Sequence, residues 1–130
     1  MAVRKLFIVT AVIELGAGFA LMFLPSQVLR LALGVVAPAL EALIMGRLGG
    51  VGLFALGIAF WLARDDNGSR AQKALLWGIT FYNAGACIVL ALAEFMLLHL
   101  AGIALWLAML LHVVLLVWCA VNLRVTAVKS

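Results

Sequence analysis

The sequence predicts an all-α integral membrane protein, a four-helix up-down bundle with a short interfacial helix between helices one and two. Three observations carry this. Of 130 residues, 68% are hydrophobic and only 11% are charged, whereas soluble domains carry about 25% charged residues. A soluble fold of this size has too much surface to hide so many apolar side chains. The apolar residues also gather into four stretches, each near the ~20 residues that a helix needs to cross the hydrocarbon core. These runs lack the alternation of barrel strands, and the length fits a single domain over residues 1–130.

The first span covers residues 6–24 and is stopped by Pro25. A basic start such as Arg4–Lys5 before an apolar run also opens a signal peptide, but Glu14 interrupts the run and points to a retained helix. Residues 26–36, between Pro25 and Pro38, are too few to cross. They are expected to lie at the membrane surface as an amphipathic helix, or to fold back as a lid. The second span covers residues 40–63, with Pro38 expected in its first turn and Glu41 close behind, where a helix N-terminus favours negative charge. "RDDNGSRAQK" is the one hydrophilic loop, and within it Ser69 and Gln72 have capping-box spacing. They open the third span, residues 74–95. A tight turn around "HLAG", residues 99–102, leads into the fourth, residues 103–123.

Charge divides unevenly between the two ends of such a bundle. Arg4, Lys5, Arg64, Arg70, Lys73, Arg124 and Lys129 fall at one end, Arg30 alone at the other, and Arg47 inside the second span. The positive-inside rule then places both termini in the cytoplasm. Trp61, Trp77 and Trp118 lie near the same end, as an interfacial aromatic belt requires. The net charge of +4 therefore reflects orientation and affinity for anionic lipid, and nucleic acid is not an expected partner.

Membrane helices associate by close backbone approach, which small residues permit. The second span is richest in them: Gly46 and Gly50 form a GxxxG pair, and Gly57 continues that face. Gly16 and Ala20 are the counterparts expected on the first span, and Gly78 and Gly85 on the third.

Each span carries one polar residue well inside it: Glu14, Arg47, Asn83 and His112. A charge at the bilayer centre costs on the order of 2.5–3.5 kcal/mol on insertion scales, so all four are expected to face the interior. At ~1.5 Å per residue, Glu14 and Asn83 lie ~14 Å from the basic end and His112 ~16 Å, while Arg47 lies ~24 Å along. Arg47 is expected to have a buried partner, either Glu14 or Glu94. Thr80, Asn83, Cys87 and Glu94 share one face of the third span, a secondary polar stripe suited to lining a small cavity. These residues are the candidates for ligand binding or proton relay.

No residue is a candidate for catalysis or for metal ligation. No CxxC pair, His/Cys ligand spacing, phosphate loop or Ser/His/Asp arrangement is present. Cys87 and Cys119 differ by ~14 Å in depth, beyond disulfide reach. His99 and His112 are poorly spaced for a haem.

The pieces "ELGAG", "MGRLGGVGLFALG" and "WLARDD" give the chain a pattern that resembles the DoxX-like small membrane proteins. The resemblance implies a four-helix protein of a bacterial inner membrane, in some relatives linked to quinone-dependent redox complexes. A quinone or a lipid is thus the small partner it suggests, with no resident cofactor required. "AVIELGAGFALM" also looks like the first helix of the small multidrug-resistance transporters, which implies a proton-exchanging role for Glu14. The one-sided charge bias departs from that family.

Two functions are therefore expected to compete. One is a non-enzymatic membrane protein that binds an apolar ligand or lipid, or serves as a small subunit of a larger membrane complex or homo-oligomer. The other is a proton-coupled small-molecule transporter that uses Glu14.

Overall fold

The computed structural model describes residues 2–96 and 102–127. It holds five helices: α1 (Ala2–Phe23), α2 (Pro25–Leu33), α3 (Leu40–Ala63), α4 (Arg70–Met96) and α5 (Ile103–Ala127). No strand occurs among the described residues. Helices α1, α3, α4 and α5 are each long and apolar enough to cross a membrane, and the chain is a multi-pass, all-helical bundle. His99 in the junction between α4 and α5, and Lys129, lie outside the described residues.

Local chemistry explains most boundaries. Proline has no N–H to continue a helix but suits the first helical position. Accordingly α1 stops at Phe23 and Pro25 opens α2. Gly34 ends α2 with a φ of 68°, a left-handed turn that disfavours any side chain. Pro38 does not sit in the first turn of α3 as expected. The chain stays non-helical through Ala39, an extended cap residue, and only then does the helix begin, with Glu41 in its first turn. At the start of α4, the Gln72 amide donates to Ser69 Oγ at 3.0 Å, and Gly68 N donates to Gln72 Oε1 at 3.0 Å. This is the expected capping box with its return bond moved back by one residue.

The basic end is tied together through the α3–α4 loop. Arg4 Nε donates to Asp65 Oδ1 at 2.6 Å, and Arg64 Nε lies 3.3 Å from Asp65 Oδ2. The hydrogen bond from Arg4 is the main reason that the Asp65 carboxyl is held below the usual carboxylate range. At the distal end, Gly102 N donates to Ala32 O at 3.0 Å. That bond docks α2 on the start of α5, and a Cβ at Gly102 would collide with the Leu31 carbonyl.

The bundle is two antiparallel pairs, α1 with α3 and α4 with α5, while α3 and α4 barely touch. Glycines bring the first pair together. A Cβ at Gly50 would lie 2.8 Å from Gly18 O, one at Gly18 2.6 Å from Phe54 N, and one at Gly57 2.7 Å from Leu15 Cγ. A Cβ at Gly46 would make only ordinary contact with Pro25 and Leu29 of α2. The partner glycine on α1 is Gly18, not Gly16, and Gly16, Gly78 and Gly85 have open space where a side chain would go. The two pairs join around Phe7, Phe60, Leu76, Ile79, Leu115 and Cys119, all buried, with Phe7 meeting Phe60 edge to face at 5.1 Å. Most other large apolar residues point outward, Leu62, Phe81 and Phe95 among them, as lipid-facing positions of a membrane bundle do.

Candidate functional site

Above that apolar cluster, away from the basic end, lies a polar layer. Thr10 and Glu14 stand one turn apart on α1 and point inward together. Thr10 is fully buried and Glu14 is 2% exposed. Neither takes part in a hydrogen bond or ion pair among the described residues. From α4, Asn83 is fully buried and its amide nitrogen donates to Ile79 O at 2.8 Å. Its amide oxygen therefore faces α5, where His112 Nδ1 lies 2.8 Å away. An amide oxygen only accepts, so Nδ1 carries the proton, and in the neutral imidazole Nε2 is left as an acceptor. The Tyr82 ring packs edge to face against His112 at 5.5 Å.

Of the four residues expected to meet, the fold buries Glu14 and Asn83 and brings Asn83 into direct contact with the half-buried His112. Arg47 does not join them. It is exposed on α3, because Gly50 and Gly57 turn their own face of the helix onto α1 and carry Arg47 to its edge. It lies ~10 Å from the distal end of α3, close enough for its stem to run along apolar surface and its head to reach the polar boundary. The expected buried pair of Arg47 with Glu14 or Glu94 is thus corrected. Glu94 is buried at the distal end of α4. Thr80 turns its hydroxyl back to Leu76 O at 2.7 Å, and Cys87 is half-buried.

Three buried or half-buried polar residues were not anticipated. Thr10 was detectable by its spacing of four from Glu14. Asn122 is buried and donates to Trp118 O at 2.9 Å, and nothing in its apolar surroundings sets it apart. Tyr82 reads from sequence as one more aromatic in a span, yet it lines two separate openings. The larger is a groove of about 500 Å³ on the lipid side of α4 and α5, walled by Phe81, Gly85, Ala86, Val89 and Leu90, with Tyr82 and His112 at its polar end. The smaller is a crevice of about 220 Å³ between α3 and α4. No group of three potential metal ligands comes together among the described residues. In comparison with known proteins, no family model, no curated protein and no solved structure matches the chain.

Proposed function

We propose that the protein is a non-enzymatic membrane protein that holds a long apolar molecule with a hydroxyl head in the α4–α5 groove, alone or as a small subunit of a larger complex. The observation that carries this reading is His112. It stands with Tyr82 at the end of an otherwise apolar groove, and Asn83 holds its Nδ1, so that in the neutral ring Nε2 is left as an acceptor. A groove of this volume falls within the roughly 300–1,000 Å³ of ligand pockets, which are mostly apolar with a few placed polar groups. The charge asymmetry supports cytoplasmic termini, and the resemblance to DoxX-like proteins supports a bacterial inner membrane.

The test is thermal unfolding in detergent with 1-dodecanol, 2-dodecanone or dodecane added. The alcohol is expected to stabilise most, by about 2.7 kcal/mol at a hundredfold excess over its Kd, and His112→Leu is expected to erase its advantage. Equal stabilisation by alcohol and alkane, or an advantage that survives His112→Leu, would overturn the reading.

A second reading, proton-coupled transport, draws on Glu14, a buried carboxyl with no ion pair among the described residues. Intramembrane ionisable groups of this kind serve proton relays. Uptake into vesicles that is driven by a pH gradient and lost in Glu14→Gln would select it. Uptake unaffected by that substitution would eliminate it.

A further inference from the structure

We infer that the crevice between α3 and α4 is a second, separate binding site, and that its occupant is an anionic phospholipid. One acyl chain lies in the crevice and the phosphate rests at the basic end. The site is independent of the α4–α5 groove and does not rest on that function.

The α3–α4 contact is the loosest between neighbouring spans. These helices are consecutive in the chain but barely touch, and the gap between them is an apolar crevice of about 220 Å³. Leu56 and Phe60 form one wall, and Leu75, Gly78, Ile79 and Tyr82 the other. The crevice is smaller than pockets that enclose a whole ligand, and it suits a stretch of one chain entering sideways from the bilayer. Gly78 keeps it open, since nothing lies within 4 Å of where its Cβ would be.

Charge identifies the head. Arg64 follows Phe60 by one turn of α3, and Arg70 precedes Ala74, another lining residue, by one turn of α4, so each wall ends in a guanidinium at the basic end. Arg64 is held in place by Asp65 and by stacking of its guanidinium 4.3 Å from the centre of the Trp61 ring. Arg70 and Lys73 enter no ion pair among the described residues. The acids in the loop do not cancel this charge: Asp65 is shared between Arg4 and Arg64, and Asp66 stands against both Arg70 and Lys73. The positive N-terminal pole of α4 opens beside the same mouth. Exposed Trp61 and Trp77 lie at the level where indoles meet lipid headgroups. An apolar slot ending in a pair of arginines is complementary to a lipid with an acyl chain and an anionic phosphate, and a zwitterionic head would gain less from it.

The test is native mass spectrometry of the full chain in detergent, titrated with phosphatidylglycerol and with phosphatidylcholine of identical chains. Occupancy by phosphatidylglycerol is expected to exceed that by phosphatidylcholine about fivefold. The double variant Arg64→Gln/Arg70→Gln is expected to bring the ratio close to one. Gly78→Leu, whose Cβ has open space and whose longer side chain takes up room in the crevice, is expected to lower occupancy by both lipids at least threefold. Gly49→Leu, equally open on α3, is expected to change neither, and so is His112→Leu, which separates this site from the α4–α5 groove. Equal occupancy by the two lipids in the unaltered protein would overturn the proposal, as would selectivity that survives loss of both arginines. Full occupancy in Gly78→Leu would overturn the placement of the chain in the crevice. Dimers that exclude lipid would show that a second copy covers it instead.

Discussion

Gly50→Ala is expected to destabilise the bundle by about 1–3 kcal/mol, the usual range for overpacking, while Gly49→Ala, one residue away, leaves it unchanged or slightly more stable. The contrast follows from what each new methyl meets. At Gly50 the Cβ would lie 2.8 Å from Gly18 O, 2.8 Å from Met22 N and 2.9 Å from Leu21 Cβ. Two of those atoms are backbone, so α1 and α3 must move apart, which also weakens the contact at Gly57. At Gly49 the methyl meets nothing, and alanine is the better helix former by about 1 kcal/mol. Unfolding in mixed micelles with increasing denaturing detergent reads the difference. The pair Gly18→Ala and Gly50→Ala is expected to cost less than the sum of the two, because one separation of the helices relieves both clashes. Equal stability of Gly49→Ala and Gly50→Ala would show that the helices are not in backbone contact there.

Asn83→Ala carries the next largest expected cost. It removes two hydrogen bonds in a fully buried position and leaves His112 Nδ1 without its acceptor. Single hydrogen bonds between membrane helices average about 0.6 kcal/mol and reach about 1.7, and a buried donor left unsatisfied costs about 1–3 kcal/mol. A total near 2 kcal/mol is expected. The part that belongs to the Asn83–His112 bond is isolated by a double-mutant cycle with His112→Ala, for which a coupling of about 0.6–1.7 kcal/mol is expected. A coupling indistinguishable from zero would mean that the bond does not hold α4 to α5, and would remove the basis for assigning Nε2 to a ligand.

The sequence resolves depth much better than rotation. Counting residues from the basic end places Asn83 and His112 at one level, and the two are hydrogen-bonded. The second span is read to the residue as α3, because proline and charge mark both its ends. Rotation about each helix axis leaves a weaker trace. In soluble proteins an apolar stripe shows which side faces the core, but these helices are apolar all round, since lipid and interior are equally dry. Arg47 was therefore expected to face inward and Gly16 to face α3, when Arg47 faces outward and Gly18 makes the contact. Glycine spacing carries part of the missing information, as Gly50 and Gly57 do on α3. It could not separate Gly16 from Gly18, which differ by two residues and so by more than half a turn. Tyr82 leaves no mark in the sequence for the same reason: its importance lies in the two openings that it lines, and that is a property of rotation.

The unequal closeness of the helix pairs bears on how the chain is made. A protein threaded into a membrane from its N-terminus has α1 to α3 in place while the residues beyond the 64–69 loop are still being synthesised. The backbone contacts at Gly18, Gly50 and Gly57 all lie within that first half, so it closes fully without waiting for the rest. The second hairpin then docks on a finished template through side chains and, at the distal end, through the backbone bond from Gly102 N to Ala32 O. Until it does, Thr10 and Glu14 stand on the open flank of a completed pair, and the nascent protein carries a carboxyl at mid-membrane depth with no bundle around it. The docking of that hairpin, within which His112 meets Asn83, is thus the step that buries the carboxyl.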